Sequence, residues 1–236
     1  MEPLQYVELA TGREPVGTVI WLHGLGDSGW GHLDAVRALA QQDLPTLRFI
    51  LPHAPMRAVT VNNGMEMPAW YDISMIEDIG RTPDEQGIRE SQAAVEQLIA
   101  REGERGIAAG HIVLAGFSQG GAIALQTGLR HAQRLAGIVA MSTYLTLEDS
   151  LDAEAAAANR ATPIYMAHGV DDEVIPIALA RRSHQALEKR GYSVTWEDFP
   201  MPHSLSGEEI VSIGDFLLRV LGDAAVAPAR SSILLP

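Results

Sequence analysis

The chain contains no cysteine. That excludes a disulfide framework, a thiol nucleophile, thiolate zinc sites and iron–sulfur clusters. Positive charge is scarce as well: 17 Lys and Arg stand against 30 Asp and Glu, a formal net charge of −13. So acidic a chain repels phosphate backbones, and no basic stripe offsets the repulsion, so nucleic-acid binding is not expected. The same charge argues against electrostatic docking on anionic lipid. No apolar run approaches the roughly 18 residues of a membrane-spanning helix, so stable membrane insertion is not expected. The opening MEPLQYVELA has an acid at Glu2 and neither a basic start nor an apolar stretch, so it does not read as a secretion signal. A soluble, cytoplasmic protein is the expectation.

What is present is ordinary globular material: 236 residues, 47% apolar and 20% charged. This suffices for one sizeable core and excludes intrinsic disorder. Residues 1–222 are expected to form a single domain. The Ala- and Pro-rich tail, 223–236, is expected to be poorly ordered or docked on a surface.

Short apolar runs alternate with helical patterns along the chain. The runs are Thr18–Leu22, Arg48–Leu51, Ile112–Ala115, Gly137–Met141 and Pro163–Ala167. Each is too short for a helix and lacks alternation, the pattern of strands buried on both faces. Val194–Phe199 reads as a further strand nearer an edge, and Tyr6–Leu9 as an antiparallel edge. Helices are expected at Pro83–Arg101, Gln119–Arg130, Pro176–Lys189 and Gly207–Leu221. Thr82 with Glu85 forms a capping box for the first, with Pro83 at its first helical position. Ser206 with Glu209 does the same for the last. The alternation predicts an α/β fold, a mostly parallel central sheet with helices on both faces. Ligands of such sheets sit outside the carboxyl ends of the strands.

Chemistry is accordingly sought just after each strand. Ile112–Ala115 runs into Gly116-Phe117-Ser118-Gln119-Gly120, then a helix. This is G-x-S-x-G in the strand–turn–helix context that lifts a serine hydroxyl above the sheet. The alternative is a glycine-rich turn with an ordinary serine. A serine nucleophile needs a base, and the base an orienting acid, in the chain order serine, acid, histidine. Of the downstream histidines, His131 and His184 fall in helical stretches, expected on solvated faces. His168 ends a strand with no good acid loop before it. His203 follows the strand Val194–Phe199, just before the capped last helix, and is the candidate base. The acid is sought after Pro163–Ala167, where Asp171 and Asp172 both lie in the loop. Glu173 sits closer to the next helix, and Asp198 is a weaker rival. An oxyanion needs donors: the amide of Gln119 is one, and an amide near Leu25, in the glycine-rich turn after Thr18–Leu22, is the other. That turn also reads as a plain cap for the following helix, and the two readings are compatible.

HGLGDSG, Pro52-His53-Ala54-Pro55, Ala69-Trp70-Tyr71-Asp72, GFSQGGA, HGVDDEVIP and Pro200-Met201-Pro202-His203 together resemble the phospholipase/carboxylesterase branch of the α/β-hydrolases, which includes acyl-protein thioesterases. The likeness runs from about Tyr6 to Leu221. It implies Ser118 as nucleophile, His203 as base, Asp172 rather than Asp171 as acid, and the amides of Leu25 and Gln119 as oxyanion donors. Pro202 departs from the family pattern and removes an N–H beside the histidine. Ile175 stands where the family has valine. The resemblance also implies an acyl pocket bordered by Trp70, Ile73, Tyr144 and Ile175, within a stretch that supplies Met65, Met67, Met75 and Ile76 as well. No cofactor or metal is required. The expected activity is a serine carboxylesterase acting on short-to-medium acyl esters. A thioesterase or lysophospholipase acting on long acyl chains is the alternative, and a non-catalytic binding protein the remote one. A homodimer is compatible with the sequence.

Overall fold

The computed structural model describes residues 3–74 and 83–222. Its centre is a seven-stranded sheet: β1 (Tyr6–Ala10), β2 (Gly17–Leu22), β3 (Leu47–Pro52), β6 (Ile112–Phe117), β7 (Gly137–Met141), β8 (Ile164–Gly169) and β9 (Val194–Phe199), in the spatial order β1-β3-β2-β6-β7-β8-β9. Only β1 runs antiparallel, pairing Tyr6 with Pro52 and Ala10 with Arg48. β4 (Met56–Val59) and β5 (Met65–Pro68) form a separate hairpin inside the stretch the sequence marks as irregular.

The strands are apolar on both sides because both sides are covered. On one face Ile20, Leu22, Leu114, Ile138, Ile164 and Met166 pack under α2 (Glu85–Glu104), α3 (Gln119–Arg130), α4 (Glu148–Glu154) and α5 (Ile177–Lys189). On the other, Val19, Trp21, Val113, Val139 and Tyr165 pack under α1 (Leu33–Ala40) and α6 (Gly207–Leu221). Adjacent residues such as Ile20 and Trp21 thus serve opposite cores, as a period of two requires.

Helix starts differ in part from expectation. α6 begins as read, with the Ser206 side chain accepting the Glu209 N–H. α2 begins later than Pro83: Asp84 is its cap, and its carboxylate accepts the N–H groups of Gly87 and Asp72. An acid that satisfies two amides outcompetes a cap that satisfies one. Thr82, Met75, Ile76 and the tail 223–236 lie outside the described residues.

The chain leaves β2 towards β3 on one side and leaves β6 towards β7 on the other. The carboxyl ends of β2 and β6 therefore flank the point where strand order reverses, the place such sheets reserve for ligands.

Candidate active site

Ser118 stands at the turn from β6 into α3 with φ 55° and ψ −123°, a left-handed conformation that is strained for a residue with a side chain. The turn closes only because its neighbours lack side chains. A Cβ on Gly116 would stand 2.3 Å from the Gly120 backbone, and one on Gly120 would stand 2.3 Å from the Leu22 carbonyl oxygen. Two further bonds clamp the strained residue: its amide donates to the Met141 carbonyl at 2.8 Å, and Thr143 Oγ1 donates to its carbonyl at 2.6 Å.

The Ser118 hydroxyl lies 2.9 Å from Nε2 of His203, and His203 Nδ1 lies 2.7 Å from Oδ2 of Asp172. Asp172 is buried, and its other oxygen, Oδ1, accepts the amides of Val174 and Ile175 at 2.9 and 2.8 Å. Asp171 and Glu173 on either side are exposed. Asp198, the rival acid, is committed to Arg181 and the Trp196 indole at the surface. The loops that carry Asp172 and His203 are stitched by the Asp171 amide donating to the Met201 carbonyl. Phe117 lays its ring 4.8 Å from that of His203. Pro202 removes a donor as noted, and its carbonyl accepts the Ser204 amide.

These groups open on a cavity of about 290 Å³, near the lower end of the usual size for small-molecule sites. Leu25, Gln119, Ile73, Tyr144 and Ile175 line it together with Ser118 and His203. Among the described residues neither the Leu25 nor the Gln119 amide donates to a backbone carbonyl across the fold, which leaves both free to meet an oxyanion. Trp70 is a correction. Expected on the pocket wall, it is fully buried behind it: its indole donates to the His23 carbonyl, its amide to Gln119 Oε1, and its carbonyl accepts from Ser91. A residue held at its indole, its amide and its carbonyl is a support, and the adjacent Tyr71 faces the cavity in its place. Met65, from the same stretch, is exposed on the hairpin.

The remaining histidines are mostly buried. His131, expected on a solvated face, is 8% exposed and bound to Glu96 at 2.6 Å. His23 donates from Nδ1 to the Gly24 carbonyl and accepts the Ala54 amide at Nε2, and burial pushes its pKa down to about 4. Among the described residues no three His, Asp or Glu side chains are grouped to hold a metal ion, and no helix is long and apolar enough to cross a membrane.

Sequence reasoning missed the Gln119 side chain, whose amide spans Trp70 and Tyr71, and the bond at 2.8 Å between the Tyr71 and Tyr144 hydroxyls in the cavity wall. Both are contacts across ~50–70 residues of chain, and no local signal points to them.

Residues 6–221 match the family model described as Phospholipase/Carboxylesterase. Acyl-protein thioesterase 1 of Neurospora crassa is 45% identical over 226 residues, which cover 92% of each chain. Its counterpart in Yarrowia lipolytica is 38% identical over 221 residues, covering 92% of this chain and 97% of that one. Among solved structures, SOBER1 of Arabidopsis thaliana superposes with a TM-score of 0.82 at 28% identity, over 87% of this chain and 99% of its own. Acyl-protein thioesterase 2 of Zea mays gives 0.80 at 26% identity, over 92% and 99%.

Proposed function

Because this chain belongs to the phospholipase/carboxylesterase family of α/β-hydrolases and is a serine hydrolase, we propose that it cleaves acyl thioesters of proteins through Ser118, His203 and Asp172. The observation that carries this reading is the hydrogen-bonded chain Ser118–His203–Asp172 opening on a largely apolar cavity. The thioester is favoured over the short-to-medium ester expected from the sequence by the names its relatives bear, acyl-protein thioesterase.

In this mechanism His203 Nε2 takes the proton of Ser118 as Oγ attacks the acyl carbonyl. The negative oxygen that forms accepts the amides of Leu25 and Gln119, at the N-terminal end of α3, where the helix dipole adds to the attraction. Collapse expels the thiolate, which takes the proton from His203 and leaves as the thiol. Water then attacks the acyl-serine with His203 as base, and the carboxylic acid departs. Asp172 fixes the His203 tautomer and stabilises its charged form throughout. No cofactor takes part.

The second reading, hydrolysis of short-to-medium oxyesters, draws on the modest size of the cavity. The test is paired kinetics: an S-acylated peptide and a p-nitrophenyl ester series from acetate to palmitate, each with wild type and Ser118→Ala. The substitution is expected to lower kcat by at least ~10⁴-fold on both substrates. A higher kcat/KM on the thioester supports the first reading, and a preference for short oxyesters supports the second. Wild-type activity that survived Ser118→Ala would overturn both.

A further inference from the structure

A second histidine stands behind the candidate acid. His168, at the carboxyl end of β8, is wholly buried. Its Nε2 lies 2.8 Å from the Ile175 carbonyl oxygen and 3.2 Å from Oδ2 of Asp172, the same oxygen that meets His203. A carbonyl can only accept, so Nε2 carries the proton and donates it. Nδ1 then has only a lone pair, and it is buried with no partner among the described residues. Desolvation pushes the His168 pKa below the ordinary histidine value, so the ring is neutral at pH 7, with Asp172, His203 and Asp198 as the charged or titratable groups around it. Trp196 lies nearly parallel to it, at 8°, with the ring centroids 6.4 Å apart.

A site that needed only packing would not favour a ring with one nitrogen left unsatisfied. The other nitrogen accounts for it. Through Ile175, His168 holds the short loop whose amides at Val174 and Ile175 grip Oδ1 of Asp172. Through the positive end of its N–H it stands beside Oδ2 as well. Both carboxylate oxygens are thereby fixed relative to His203, and Ile175 is fixed on the cavity wall by the same bond.

We propose that His168 is a positioning residue for the reaction: a neutral Nε2–H imidazole that orients Asp172, and through Asp172 the base His203. The inference rests on the serine-hydrolase reading above, and the two fail separately, since retained activity in Ser118→Ala sinks that reading while the results below bear on His168 alone.

The test is a double-mutant cycle on p-nitrophenyl ester hydrolysis with His168→Met, Asp172→Asn and the pair. His168→Met keeps the volume and loses the donor. Its kcat is expected to fall on the order of 10–100-fold while KM stays within ~3-fold. His168→Gln, which restores an N–H, is expected to recover most of the loss. In the Asp172→Asn background His168→Met is expected to cost less than ~2-fold further, because its effect passes through the carboxylate. Losses that multiply, or a change confined to KM, would reduce His168 to core packing. Should His168→Met not fold, His168→Gln is measured alone: kcat within about 10-fold of wild type supports the donor, and a loss as deep as that of Asp172→Asn overturns the proposal. The wild type supplies an independent check by ¹⁵N NMR of its labelled histidines at about pH 7. An Nε2–H neutral ring at His168 supports the assignment, and an Nδ1–H or charged ring refutes it.

Discussion

At the scale of single residues, the site depends on side chains that never meet a substrate. Gln119 is the clearest case. Its backbone amide is the candidate oxyanion donor, while its side chain accepts the Trp70 amide and donates to the Tyr71 carbonyl. One residue thus ties the Ser118 turn to the segment that walls the cavity. Truncating it leaves a buried N–H and a buried C=O unpaired. Gln119→Ala is therefore expected to lower stability by about 1–3 kcal/mol in urea titrations. It should also reduce kcat although the backbone donor remains, because Tyr71 is no longer held. Unchanged stability would mean that water takes over both bonds. The choice between Asp171 and Asp172 also belongs to this scale. Adjacent residues in a turn face different ways, and only Asp172 is turned inward, onto two backbone amides and His203.

At the scale of elements, the candidate catalytic groups come from three loops at one end of the sheet, and each is followed by a helix start. α3 follows Ser118 at once, α5 follows the loop of Asp172, and α6 begins four residues after His203. The Ser206 cap is therefore stability and positioning together. Ser206→Ala is expected to destabilise the protein by ~1 kcal/mol, read as a lower melting temperature. A larger relative loss of kcat than in a control truncation of an exposed residue on α6 would show the cap also steadies the His203 loop. Local signals located α6 well and α2 less well. Thr82 and Asp84 both have the chemistry of a cap, and the bond from Asp84 to the distant Asp72 amide, invisible in the local pattern, favours Asp84.

At the scale of the whole molecule, two buried glutamates show how a chain of net charge −13 manages its acids. Glu102 accepts from Thr18, Arg48 and Arg105 where the amino-terminal ends of β2 and β3 meet the end of α2. Glu209, wholly buried in the first turn of α6, has no hydrogen-bond partner for its carboxylate among the described residues. Burial, with a smaller push from nearby Glu197, raises its pKa to about 8. The folded state therefore binds a proton that the unfolded chain releases near pH 4.5. Its contribution to stability is intact below that pH and is lost progressively as pH rises to about 8, by an amount on the order of a few kcal/mol. Glu209→Gln, neutral at every pH, should flatten this decline: melting temperatures of variant and wild type should converge near pH 5 and separate near pH 8, the variant being higher. Parallel curves would show that Glu209 finds a partner or water when ionised.

Much of this protein follows from order along the chain alone. Buried parallel strands announce themselves as short unbroken apolar runs because both of their faces are covered, and Ser118 announces itself because a strained turn requires glycines at fixed offsets. His203 could be singled out because a strand end and a capped helix bracket it. Those signals are local, carried by residues a few positions apart. What lay beyond them was decided by contacts between distant segments. Trp70, Ile73 and Tyr144 are all expected to border the cavity, yet one is locked behind it and two line it. The β4–β5 hairpin, the Tyr71–Tyr144 pair and the neutral ring of His168 beside Asp172 likewise exist only once the chain has closed on itself. The physical reason is that apolarity fixes that a side chain will be buried but not against what, while a hydrogen bond needs two partners, and the sequence between them does not record which two will meet.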